Sequence, residues 1–90
     1  MKRYHIRVHG RVQGVGFRFH TQQHAVRHSI KGWVKNNADG TVEIDAEGED
    51  HDMDRFIREL KKGSMNANVT NVEFKEYPET GTHHSFQIQY

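Results

Sequence analysis

The 90-residue sequence has no cysteine, no long apolar run and no excess of charge of either sign. Without cysteine there is no disulfide framework, no thiolate chemistry and no Cys-containing zinc site. No stretch approaches the roughly 20 apolar residues that a membrane-spanning helix needs. Lys2 and Arg3 are not followed by the apolar core of a secretory signal. Thirteen basic against twelve acidic side chains leave a formal charge of +1, which lacks the electrostatic footprint of a general nucleic-acid binder. Repeats, low-complexity runs and linkers are also missing. These absences predict one domain over residues 1–90, monomeric and cytoplasmic, with no membrane and no nucleic-acid partner.

What is present is patterned. With 33 % hydrophobic and 28 % charged residues, the core must be lean and the surface well solvated. Tyr4, Ile6 and Val8 alternate with His5, Arg7 and His9, which predicts a strand with one face on the core. A helix is expected from Phe17 to about Ser29. Val34–Asn37 and Thr41–Glu47 read as a hairpin around Asp39-Gly40, with Val42, Ile44 and Ala46 inward. From Glu49 to Lys62 the stripe Met53, Phe56, Ile57 and Leu60 predicts a second helix, with acids in its first turn, Lys61 and Lys62 in its last and Gly63 just beyond. Val69–Tyr77 is a fourth strand with Val72 and Phe74 inward, and 78–85 is a loop. Phe86, Ile88 and Tyr90 alternate in a short last strand. The order β-α-β-β-α-β plus a terminal strand predicts an α+β, ferredoxin-like sandwich with a mixed sheet and two helices on one face. In that topology the first two strands run parallel, and their C-terminal ends share one sheet edge.

At that edge lies Gly10-Arg11-Val12-Gln13-Gly14-Val15-Gly16-Phe17-Arg18, a glycine-punctuated loop that runs from a strand into a helix N-terminus. Such a loop can aim several backbone N–H groups at one point, where the helix dipole adds partial positive charge. The natural guest is an anion, most often phosphate. The cradle predicted here is the backbone of Gln13, Gly14, Val15, Gly16, Phe17 and Arg18. The Arg18 guanidinium adds a planar fork of donors suited to phosphate oxygens. Neither a third glycine at dinucleotide-binding spacing nor a Gly-Lys-Ser/Thr follows, so a nucleotide loop is disfavoured. Read from the residues alone, the glycines also fit a plain tight turn, Arg18 a surface arginine and Asn36 a turn residue before the hairpin.

The Gly10–Arg18 stretch resembles the signature loop of the acylphosphatase family. Gly32-Trp33-Val34-Lys35-Asn36-Asn37, followed by Asp39-Gly40-Thr41-Val42-Glu43, resembles that family's second signature. The similarity extends through Gly48, the Gly63-Ser64 step and Phe86-Gln87-Ile88-Gln89-Tyr90, nearly the whole chain in order. It implies hydrolysis of an acyl phosphate to a carboxylate and inorganic phosphate, with phosphate also a competitive inhibitor and no cofactor or metal. The arginine matching Arg18 then holds the phosphate and the asparagine matching Asn36 positions the attacking water. The alternative is a non-catalytic ferredoxin-like module that binds a phosphate-containing ligand or RNA.

His20, His24 and His28 follow at i, i+4, i+8, so they share one helical face with Phe17 and Thr21. Such a row can chelate zinc. Its position beside the apolar stripe favours packed histidines instead. Val26 and Ile30 fall off that stripe, and His83-His84 is expected to be solvated.

Overall fold

The computed structural model describes residues 1–90. Its elements are β1 (Lys2–Arg11), α1 (Phe17–Arg27), β2 (Lys31–Asn36), β3 (Val42–Gly48), α2 (Asp50–Lys62), β4 (Asn68–Tyr77) and β5 (Phe86–Gln89). The five strands form one sheet in the order β4-β1-β3-β2-β5. Strand β3 pairs antiparallel with both β1 and β2, so β1 and β2 run parallel on either side of it. Strand β5 joins β2 in parallel, which makes the sheet mixed as expected.

The alternation in β1 lands as read: Tyr4, Ile6 and Val8 are buried, with Ile44 and Ala46 beside them on β3. The α2 stripe of Met53, Phe56, Ile57 and Leu60 closes the core from above, joined by Phe17 and Ala25 of α1. A register shift between His9 and Gly10 marks a bulge in the β1–β4 pairing. Gly10 sits there at φ 120°, and a Cβ would lie 2.0 Å from the Asn68 carbonyl oxygen, so only glycine fits. The bulge re-aims the chain as it leaves the sheet, and Val12 turns back into the core.

Three local expectations are corrected. Helix α1 stops at Arg27 rather than at Ser29. Ser29 takes a left-handed φ of 58°, its N–H donates to the Val26 carbonyl (3.3 Å) and the Ile30 N–H to that of Ala25 (2.8 Å). This Schellman closure swings Ile30 into the core, which explains why it is off the helical stripe; Val26 is simply exposed. Phe74 faces the core side of the sheet opposite Ile6 and stacks on Tyr4, yet it is 46 % exposed. Strand β4 is the sheet's edge, and the helical layer leaves Phe74 partly uncovered. His84 is exposed as expected, but His83 is only partly so: its Nε2 lies 2.8 Å from the buried carboxylate of Asp45, which also accepts from Arg3 Nε at 3.2 Å. The same 78–85 loop gives the N–H and hydroxyl of Thr80 to Glu47, at 2.6 and 3.1 Å. Burial works to raise the Glu47 pKa, but these donors outweigh it and hold the carboxyl below its usual range.

The histidine row packs along the α1–α2 seam. The rings of His20 and His24 are 4.5 Å apart, and His24 Nδ1 lies 3.8 Å from a Glu59 carboxylate oxygen. No group of three or more His, Asp or Glu side chains is arranged to hold a metal ion. Burial pushes both histidines below 6.5; Glu59 pulls upward without winning, through its backbone and then its carboxylate for His20 and through its carboxylate for His24, where the neighbouring His20, Arg27 and His28 add to the depression. The unfolded chain therefore binds more protons than the folded one once pH falls below about 6.5. Folding stability is expected to decline from pH 7 towards pH 5. Thermal melts across that range should show the decline, and His20→Phe should flatten it. An unchanged slope in the variant would assign the acid sensitivity to other groups.

Candidate active site

The loop after β1 reaches α1 through two left-handed glycines, Gly14 at φ 73° and Gly16 at φ 75°. A Cβ at either position would meet nothing within 4 Å. Conformation rather than crowding calls for glycine here, and the space over the loop stays open to a ligand. Gly16 is the N-cap of α1, and the His20 N–H donates to its carbonyl at 3.0 Å. By helix geometry the N–H groups of Phe17, Arg18 and Phe19 have no partner within the helix. No acidic side chain lies in the first turn to neutralise the dipole.

Gly14, Gly16, Phe17 and Arg18 line one cavity of about 180 Å³, and Asn36, from the C-terminal end of β2, lines it with them. The parallel arrangement of β1 and β2 thus brings Asn36 to Arg18, as the topology predicts. Asn36 Oδ1 is buried and has no hydrogen-bond partner. Of the buried side-chain polar atoms without a partner in the chain, it alone belongs to a residue that lines this cavity. Arg18 is anchored at one end, its Nη1 donating to the Gln89 carbonyl at 2.9 Å and its guanidinium carbon 4.6 Å from the centre of the Tyr90 ring. The remaining guanidinium donors are free to meet an anion.

Two of the six cradle residues, Gln13 and Val15, do not line the cavity. Val15 packs against the core. Gln13 uses its side chain, Nε2 donating to the carbonyls of Asn37 (2.7 Å) and Thr41 (2.9 Å), and so ties the loop to the β2–β3 hairpin. The hairpin is itself closed by Asp39, whose carboxylate accepts from the Thr41 hydroxyl (2.6 Å) and N–H (3.0 Å). These two bonds, the hydroxyl's first, hold the Asp39 carboxyl below its ordinary value. Apolar side chains complete the cavity, namely Val12, Phe19, Ile88 and Tyr90. Sequence patterning did not single out Phe19, Ile88 or Tyr90 for the site; a phenylalanine directly after Arg18, on the surface of a first turn, was the available signal. Tyr90 also lies beyond β5, which ends at Gln89, rather than inside the last strand.

The sequence model of a family described as acylphosphatase matches residues 4–88. An acylphosphatase of Bacillus licheniformis is 46 % identical over 90 residues, all of both chains. The crystal structure of acylphosphatase from Bacillus subtilis superposes with a TM-score of 0.96 at 44 % identity, again over the whole of both chains. An acylphosphatase structure from Coxiella burnetii gives 0.89 at 34 % identity, covering 98 % of this chain and 92 % of that one.

Proposed function

The chain belongs to the acylphosphatase family, and from that premise we propose that the Arg18 guanidinium and the backbone of Gly14, Gly16, Phe17 and Arg18 hold the phosphate while Asn36 positions the water. The reaction is hydrolysis of the carboxyl–phosphate bond of an acyl phosphate to a carboxylate and inorganic phosphate. Its leaving group is the anion of an acid with a pKa near about 4–5 and departs without a proton, so no general acid is needed. Catalysis then rests on positioning and on donors around the equatorial phosphoryl oxygens. The N–H groups at the start of α1 and the free guanidinium donors of Arg18 supply them.

The observation that carries this reading is that Asn36, at the end of β2, lines the same cavity as Gly14, Gly16 and Arg18. The amide oxygen accepts a hydrogen from a water and leaves the water's lone pair directed at phosphorus. As the water's oxygen bonds to phosphorus, the bond to the carboxyl oxygen breaks and its electron pair stays on the carboxylate. The water's protons go to the phosphate product and solvent. No step in this scheme requires a metal. Phosphate release from benzoyl or acetyl phosphate is expected to proceed undiminished in EDTA. Inorganic phosphate should raise the apparent KM without lowering kcat. Loss of activity in EDTA, or inhibition that excess substrate does not relieve, would count against the scheme.

A further inference from the structure

The cavity lining is of two chemical kinds. Gly14, Gly16, Arg18 and Asn36 account for everything a phosphate requires. The apolar part has no role towards phosphate, yet it carries two aromatic rings that the protein leaves in water: Phe19 is 58 % exposed and Tyr90 99 %. An exposed aromatic beside a binding site gains free energy when a ligand covers it. Tyr90 is coupled to the phosphate end as well, because its ring lies against the Arg18 guanidinium and the preceding carbonyl, that of Gln89, holds Arg18 in place. Arg18 is the only charged side chain lining the cavity, so a substrate bearing a second phosphate finds no second cation.

We propose that Phe19 and Tyr90 bind the acyl group, and that the enzyme favours acyl phosphates with an aromatic or comparably apolar acyl body over small polar ones. The proposal rests on the phosphate end occupying the Arg18 cradle. Beside the cradle, Phe19, Ile88 and Tyr90 are the apolar surface that the cavity offers to the acyl group. An aromatic ring lying against Phe19 or Tyr90 adds a contact that acetyl or carbamoyl groups cannot make.

The test compares kcat/KM for benzoyl phosphate and acetyl phosphate in the unmutated enzyme, Phe19→Ala, Phe19→Leu and Tyr90→Ala. Taking the ratio within each protein cancels the intrinsic reactivity of the two substrates. The benzoyl-to-acetyl ratio is expected to fall about two- to tenfold in Phe19→Ala, the value of one aromatic pair, and to be partly restored in Phe19→Leu. Tyr90→Ala should lower the same ratio. The inhibition constant of inorganic phosphate should stay within twofold in the Phe19 variants. A ratio unchanged in both alanine variants overturns the proposal, as does a loss shared equally by both substrates. Failure of the phosphate reading shows separately, as absence of competition by inorganic phosphate in the unmutated enzyme, and removes this proposal with it.

Discussion

Arg18→Lys is expected to lower kcat/KM by about three orders of magnitude although the charge is kept. A planar guanidinium can donate to the Gln89 carbonyl and to two phosphate oxygens at once, in directions fixed by its fork. An ammonium is a compact, strongly hydrated point charge on a flexible stem and offers no such parallel pair. If lysine keeps the bond to Gln89 it gives up the phosphate, and if it turns to the phosphate it releases β5. The donors act on oxygens whose charge grows in the transition state, where removing one well-placed donor costs on the order of 10²–10³ in rate. Lost ground-state binding adds to that, so kcat should fall and phosphate inhibition should weaken together. Melting temperature needs measuring alongside, since Arg18 also fastens β5. A stable variant with near-normal turnover would reduce Arg18 to a strand anchor.

Asn36→Ala should behave differently. If the amide orients the attacking water, its loss acts on the transition state alone: kcat falls on the order of 10²–10³ while phosphate affinity barely moves. Stability separates this from a structural explanation. Asn36 Oδ1 has no partner in the folded chain, so truncation breaks no bond made by that oxygen and removes a buried atom left unsatisfied. The melting temperature is therefore expected to stay or to rise slightly. An alanine variant that melts early, or one that keeps full kcat, would take Asn36 out of the mechanism.

The contrast between these two residues also explains what could be read from the chain beforehand. Order, sheet type, the β1 alternation and the α2 stripe were legible because each is a repeat at short range, two or three to four residues apart. The cradle glycines and Arg18 were legible for a similar reason, being one continuous loop at a strand–helix junction. Asn36 was placed by topology and by likeness to a signature segment. Periodicity says nothing of bonds between distant residues. Arg18 reaches Gln89, 71 positions on, and Gln13 reaches Asn37 and Thr41, 24 and 28 positions on. Asp45 and Glu47 stand at outward positions of β3 and look solvent-facing by alternation. They are buried because the 78–85 loop folds over them and supplies His83 and Thr80. Phe74 fails in the opposite sense, since alternation assigns a face but cannot say whether a helix lies over it.

Strand β3 lies between the two strands that deliver the site, so the step from the cradle to Asn36 crosses two interstrand gaps, each about 4.8 Å. The active site is thus measured out by a ruler of backbone hydrogen bonds, whose graduations no side chain sets. Core residues such as Ile44 or Leu60 can change size and alter how often the molecule is folded. The number of strands between the cradle and Asn36 stays the same with them. Durability and the strand count across the proposed site thereby rest on different parts of one fold.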